Sequence, residues 1–332
     1  MITVSVLAVI GNFLVIVAIL WNRKLRTVYN FLFLNLAAAD MLQGAIAMPL
    51  RLADQLNQTD NRPLIPCLVV IPLTVFLFGA SNFNPTLISL DRYLALTRPF
   101  LYPTFAEPRK VAFTIAVSWG LIFIIAFLPV MGWGDAETAK VADICLYSTT
   151  LSKEYLLMLF SIVNLAVIVV LTFTNYFILQ TTRKQIRQLN VINSHGSILT
   201  EVSSNTIVPI RSFADSDTTD TRARLPRPGG SKERRATKIV LIIVGIIVLL
   251  TTPITVIDII SLLGCPTCTP LTVIKVTVFM AYANACVNVF IYAGFNTDMK
   301  RTWIDIFWRV KQAVLRAVNG RKDMRIEMET FS

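Results

Sequence analysis

Histidine is almost missing from this chain: His195 is the only one in 332 residues. Metal-dependent and imidazole-based catalysis lean on clustered His ligands and bases. No His- or Cys-rich group with ligand spacing stands in for them, so an enzyme is not expected. The strict polar–apolar alternation that a membrane barrel needs is absent. So is any convincing internal repeat of the kind that transporters carry. The first apolar run has no basic leader and no small-residue cleavage site, so it reads as a span rather than a signal peptide. Acidic residues are few, 20 Asp and Glu against 31 Lys and Arg, for a net charge of +11. No soluble basic domain is present to hold a nucleic acid, so that charge implies a different partner.

What the chain does have is apolar length. Hydrophobic residues make up 55% of it and mean hydropathy is +0.63, above the usual range for soluble domains. A window of about 19 residues finds seven apolar blocks: 2–21, 28–50, 66–90, 111–131, 155–179, 239–263 and 271–293. Each is long enough to cross about 30 Å of hydrocarbon as a helix, and helices satisfy their own backbone in lipid. The expected fold is an all-α membrane protein, a seven-transmembrane helix bundle over residues 1–295. Arg23, Lys24 and Arg26, then Arg92, Arg98, Arg109 and Lys110, fall between alternate spans. Asp54, Asp60, Asp135, Glu137 and Asp143 fall between the others. The positive-inside rule then places the N-terminus outside and the C-terminus in the cytoplasm of a plasma-membrane protein, with the basic face against anionic lipid headgroups.

Polar residues inside the apolar blocks need partners. Asn12, Asp40, Ser81, Asn284 and Asn288 are such residues. One carboxylate, one hydroxyl and several amides suit a monovalent cation, because hard cations take oxygen ligands. A hydrogen-bonded network that only ties helices together is the alternative reading. On the outer side, Cys67 and Cys145 are candidates for a disulfide, and Cys265 and Cys268 for a small loop-closing one. Cys286 reads as a small core residue. Asn57-Gln58-Thr59 is a glycosylation sequon.

Asp91-Arg92-Tyr93 closes the third block. Ionisable groups cost at least about 2.5 kcal/mol at a helix centre and are tolerated near its ends. At about 1.5 Å per residue, Cys67 and Arg92 are roughly 37 Å apart, one bilayer with its interfaces. Taken with Gly11-Asn12, Leu36-Ala37-Ala38-Ala39-Asp40, Trp119 and Asn288-x-x-x-Tyr292, the triplet resembles that of a class A (rhodopsin-like) G-protein-coupled receptor. The resemblance implies that Arg92 is held at rest by Asp91 and by Glu233, and is released to a heterotrimeric G protein when the sixth helix swings out. It implies that Pro99 and Phe100 contact that protein, that Tyr176 and Tyr292 stabilise the active arrangement, and that the Asp40 set takes a sodium ion. Receptor kinases and arrestin are partners by the same resemblance.

Several family positions are changed. Ile168 replaces the proline of the fifth span, Thr251 a tryptophan before Pro253, and Val289 the proline after Asn288. The apolar trio that relays ligand binding becomes Asn82, Ile168 and Ile247, and Pro85 interrupts the third helix. These changes lead us to expect altered basal activity. Thr74 stands where amine receptors place an aspartate. Pro129–Trp133, Cys145-Leu146-Tyr147 and Cys265-Pro266-Thr267-Cys268 resemble adenosine receptors, but Asp258 replaces the base-reading amide and Tyr282 a ribose contact. The 281–286 segment also resembles melatonin receptors. A small ligand, amine-like or purine-like, is therefore expected among Thr74, Tyr147, Thr251, Asp258 and Tyr282. Asp258 paired with Lys275 is the competing reading. A transporter or channel is the alternative class.

Residues 183–235 lack helical periodicity and are expected to form a disordered cytoplasmic loop. In 296–332, Met299, Trp303, Ile306, Phe307, Val310 and Val314 share one helical face, as in an amphipathic helix lying on a membrane.

Overall fold

The computed structural model describes residues 1–56, 67–133, 151–204, 231–263 and 268–330, and among these no strand occurs. Helix α1 covers Ile2–Trp21. The second span is α2 (Val28–Leu42), a π turn (Gln43–Ala47) and α3 (Met48–Leu56). The third is α4 (Cys67–Thr97), followed by the short α5 (Tyr102–Phe105); the fourth is α6 (Pro108–Phe127). The fifth joins α7 (Lys153–Leu159), a π turn (Phe160–Leu165) and α8 (Ala166–Ser204). The sixth is α9 (Ser231–Leu262) and the seventh α10 (Leu271–Phe295), with α11 (Thr297–Thr330) after it. Seven of these helical stretches are long and apolar enough to cross a membrane, so the expected seven-helix bundle stands.

Local chemistry sets the ends. Thr27 caps α2 by accepting from the Asn30 amide at 3.3 Å, and Ser152 caps α7 by accepting from Tyr155 at 3.3 Å. The Asn296 side chain accepts from the Met299 amide at 3.1 Å, where the chain leaves the seventh span and starts α11. α4 runs through Pro72 and Pro85. Neither can donate to the ladder, so the carbonyls of Leu68 and Ser81 lose their helical partner.

The third span is the hub, packing on the second, fourth, fifth and sixth; the sixth also packs on the seventh and the first on the second. One apolar cluster joins Val15, Leu36, Ile88, Leu171, Ile243 and Ile291 from six spans. Close approach needs glycine in two places. A methyl on Gly44 would sit 2.8 Å from the Ala8 methyl and 3.2 Å from the Ser5 carbonyl, and one on Gly11 would sit 2.9 Å from a Val289 methyl. The Ser5 hydroxyl also donates to the Gly44 carbonyl at 2.6 Å. Gly44→Ala should therefore push the first and second spans apart and lower stability by about 1–3 kcal/mol. Thermal melting of the purified protein checks this: an unchanged midpoint would mean that the helices part without cost.

Two expectations about the loops change. Residues 183–204 continue α8 as helix rather than opening a disordered loop; 205–230 lie outside the described residues. The C-terminal helix is longer than its apolar face suggested, reaching Thr330. Its bundle-facing residues are Met299 and Thr302, whereas Phe307, Trp308 and Val310 are exposed. Two hydrogen bonds hold it to the first span: Trp303 Nε1 donates to the Leu14 carbonyl at 3.0 Å, and Asn22 Nδ2 to Thr302 Oγ1 at 2.8 Å.

Candidate functional site

The polar residues of the spans meet at mid-bundle. The Asp40 carboxylate is fully buried. It accepts from Ser81 Oγ at 2.5 Å and from Asn288 Nδ2 at 2.9 Å, joining the second, third and seventh spans. Asn12 Nδ2 donates to the Ala8 and Ala285 carbonyls, both at 2.8 Å, which ties the first span to the seventh. The side-chain oxygens of Asn12 and Asn284 are buried with no hydrogen-bond partner. A buried carboxylate that meets a hydroxyl and an amide from two other spans supplies oxygen donors of the kind a hard cation takes. A second polar junction, missed in the sequence reading apart from Trp119, links Trp119 Nε1 to Asn35 Oδ1 at 2.9 Å and Asn35 in turn to Asn84.

At one end of the bundle the triplet splits. Tyr93 turns toward Phe173 and Phe177 of the fifth span, with ring centroids 6.2 and 6.1 Å away. Arg92 folds back on Asp91: its Nε and one terminal nitrogen donate to Oδ2 at 2.8 and 2.5 Å. Neighbouring helix residues do not normally face each other, so the Arg stem must curl to make this pair. The pairing closes through Tyr102. The same terminal nitrogen donates to the Tyr102 hydroxyl at 3.0 Å, and that hydroxyl donates to Asp91 Oδ1 at 2.9 Å. The guanidinium also lies 4.1 Å from the centroid of the Tyr29 ring, within cation–π range. Burial, with the Asp91 carboxylate adding to it, pushes the Tyr102 hydroxyl up to about 12, so at neutral pH it keeps the proton it donates. Both Asp91 and Arg92 side chains are about a tenth exposed, at 9% and 11%.

Tyr29 and Tyr102 are thus the partners that sequence reasoning missed. Their only signal was two tyrosines among basic residues at the same end of neighbouring spans. The side chains of Glu233 and Tyr292 lie outside those described. Tyr176 is not brought to Arg92: it is exposed, and its hydroxyl accepts from Gln180 Nε2 at 2.9 Å. Beside the Arg92 cluster, Pro99 and Phe100 follow the end of α4, and Phe100 is 92% exposed.

Antiparallel alternation puts Thr74, Asp258 and Tyr282 toward the opposite end. Thr74 is buried, and its hydroxyl donates to the Val70 carbonyl at 2.6 Å. Tyr282 is buried against Phe78, with ring centroids 6.3 Å apart. Asp258 is half-buried, and no hydrogen bond or ion pair among the described residues reaches it. The Lys275 pairing does not form; Lys275 is exposed. Of the other described carboxylates at this end, Asp54 is occupied by Arg51 at 3.3 Å and Glu154 is exposed at the start of α7. Asp258 is therefore the half-buried carboxylate of this end that has no partner among the described residues. Tyr147, Cys145, Cys265 and Asn57 lie outside the described residues, as does the Cys67 side chain. Cys268 is disulfide-bonded, and Cys286 is free and buried.

Between the third, fifth and sixth spans lies a small cavity lined by Asn82, Asn164, Ile168, Ile247 and Thr251 among others, with 10 Å³ of room for the centre of a water-sized sphere. The changed relay positions line it. Asn82, Asn164 and Thr251 make part of its wall polar.

The chain matches the 7 transmembrane receptor (rhodopsin family) over residues 11–292. Octopamine receptor 1 of Lymnaea stagnalis is 38% identical over 132 residues, 40% of this chain and 21% of that protein. Octopamine receptor beta-2R of Chilo suppressalis is 28% identical over 306 residues, 90% of this chain and 76% of that protein. Adenosine receptor A2a of Canis lupus familiaris is 26% identical over 329 residues, 94% of this chain and 71% of that protein. Over Octopamine receptor 1 the chain thus spans about a fifth of the relative's length.

Proposed function

The chain belongs to the rhodopsin family of seven-transmembrane receptors, and from that premise we propose that it binds a small cationic ligand beside Asp258 and passes the signal to a heterotrimeric G protein at Arg92. It is a multi-pass membrane protein and, as its family is one of receptors, not an enzyme. In the proposed orientation the Asp258 end faces outside the plasma membrane and the Arg92 end faces the cytoplasm, which the Lys/Arg bias of the loops supports.

The observation that carries this reading is the Asp91–Arg92–Tyr102 ring under the Tyr29 face. Charge-assisted bonds hold Arg92 inside the bundle end. The ring is local, so a modest change in helix spacing can open it. A ligand shifts such a two-state equilibrium by its differential affinity for the two states, and a few kcal/mol suffice. Freed Arg92 and the exposed Phe100 would then form a basic and apolar contact for Gα. On the ligand side, a carboxylate that is half-buried and unpartnered is stabilised by an ammonium group. The octopamine and histamine receptors among the relatives are named for amines, and the adenosine receptor for a purine; Asp258 favours the amine.

The test is nucleotide exchange on Gα in membranes carrying the receptor, with octopamine, histamine and adenosine added in turn. Exchange driven by an amine supports the reading. Solute flux in vesicles without exchange would favour a transporter instead.

The same receptor is expected to respond to sodium. Asp40, Ser81 and Asn288, with the free oxygens of Asn12 and Asn284, would hold the ion. An ion that prefers one state couples to the other site by about fivefold or more. Replacing sodium by N-methylglucamine should raise ligand-free exchange severalfold in the wild type and leave Asp40→Asn unchanged. Equal sodium sensitivity in both would remove the ion from Asp40.

A further inference from the structure

Among the described residues, six buried side-chain polar atoms have no hydrogen-bond partner. Two belong to Asn12 and Asn284, beside Asp40. The other four are the side-chain oxygens of Asn82, Thr86, Ser89 and Asn175. Thr86 and Ser89 are 3% and 0% exposed. Other hydroxyls of the spans behave differently. Thr74, Thr174, Thr251, Thr255 and Thr277 each donate to the carbonyl four residues earlier, at 2.6 to 3.0 Å, the ordinary outlet for a hydroxyl inside a helix. A buried donor with its bond unmade costs free energy, so Thr86 and Ser89 need acceptors elsewhere.

The four atoms lie on one seam. Asn82, Thr86, Ser89 and Tyr93 follow at spacings of four, three and four, so they share one face of α4. Both ends of that stripe meet the fifth span. Asn82 lines the cavity with Val167, Ile168 and Leu171, and Tyr93 packs on Phe173 and Phe177. On the fifth span, Asn175 shares a stripe with the buried Leu171 and Ile178. Its Nδ2 donates to the Leu171 carbonyl at 2.6 Å, which leaves Oδ1 to accept. The third and fifth spans run in the same direction, so the two end contacts set their register and put Asn175 within about one turn of Ser89. Thr86 and Asn82 are four residues apart on one helix and can close on each other by side-chain rotation. Ser89 and Asn175 are the pair whose closure needs the spans to move. Pro85 supplies the means: it removes a rung of α4 one turn before Ser89, and helices bend at such places.

We propose that Ser89 is a positioning residue whose hydroxyl donates to Asn175 Oδ1 only in the arrangement that engages the G protein. That arrangement is reached when the inner part of α4, which carries Arg92, flexes at Pro85 toward the fifth span. The proposal rests on the G-protein reading above and names a contact that favours its active side. A bond unmade at rest and made after the movement shifts the balance toward the moved state. The same flexure draws Arg92 away from the Tyr29 ring of the second span, so closing the seam and loosening the latch are one motion.

The test is a double-mutant cycle in receptor carrying Asp91→Asn, whose raised ligand-free exchange leaves room for a fall. In nanodiscs with purified heterotrimer, Ser89→Ala and Asn175→Leu should each lower exchange about fivefold, the effect of one hydrogen bond. The two together should lower it no further than either alone, because they remove the same bond. Thermal melting separates this role from packing. At rest the Ser89 bond is unmade, so Ser89→Ala should leave the melting midpoint unchanged or raise it. Ser89→Cys keeps the size and donates only weakly; it stands in if Ser89→Ala does not fold. Exchange unchanged by both single substitutions, or losses that add in the double, would overturn the proposal. A lowered midpoint with unchanged exchange would overturn it too and assign Ser89 to packing. If Asp91→Asn receptor gives no exchange above that of G protein alone, the G-protein reading fails and this proposal falls with it.

Discussion

Asp91→Asn is expected to raise ligand-free nucleotide exchange about tenfold, the effect of removing roughly 1.4 kcal/mol from one side of a two-state balance. The carboxylate is the centre of the Arg92 ring. It accepts two bonds from the guanidinium and one from Tyr102. An asparagine keeps the shape but loses the charge, so the charge-assisted part of the hold disappears. The Tyr29 ring stays above the guanidinium, which is why the latch should weaken rather than vanish. Tyr102→Phe removes one bond on each side of the ring and should give a smaller rise of the same sign. The check is GTP exchange on purified heterotrimer in nanodiscs without ligand. A rate unchanged by Asp91→Asn would mean that the ring does not bias the two states.

Asp258→Asn is expected to weaken a cationic ligand about a hundredfold, within the range measured when one partner of a desolvated charge pair is removed. The reason is local. Thr74 carries no charge and its proton is spent on the Val70 carbonyl, and Asp54 is already paired with Arg51. Glu154, at the start of α7, is exposed to solvent, so it offers an ammonium group far less than a half-buried carboxylate does. A neutral ligand such as adenosine should bind the substituted receptor as it binds the wild type. Competition binding with one amine and one neutral ligand reads both expectations. An amine that is indifferent to Asp258→Asn would move the anchor elsewhere.

How much of this was legible in the sequence depends on the distance over which each feature is fixed. The first span was expected at residues 2–21 and is Ile2–Trp21, because a bilayer-length apolar run fixes a helix without help from the rest of the chain. The Asp40 set was legible as types, since a mid-span acid must find oxygen and amide partners, and Ser81 and Asn288 are those partners. The continuation of α8 to Ser204 was not legible: a polar segment without apolar periodicity gives no helical signal of its own, yet a helix already begun propagates into it without a new nucleus. The partners of Arg92 show the opposite failure. Asp91 was expected beside Arg92 and is there, and the Glu233 side chain lies outside those described, whereas Tyr29 and Tyr102 reach Arg92 only once the start of the second span and α5 pack beside the end of the third. Three-dimensional neighbours from separate segments leave no pattern along the chain. The cavity at Asn82 was visible as a break from the family's apolar trio, but Asn164 in its wall appears only when the fifth span's π turn places that residue there.

The central claim is that Arg92 is held by Asp91 and is itself the group that acts on the G protein. Ligand-free nucleotide exchange in nanodiscs, measured for Asp91→Asn and for the double substitution Asp91→Asn with Arg92→Ala, tests both halves together. The account predicts exchange above wild type in the first and a fall to the rate of G protein alone in the second. Exchange that stays high after Arg92→Ala would contradict it.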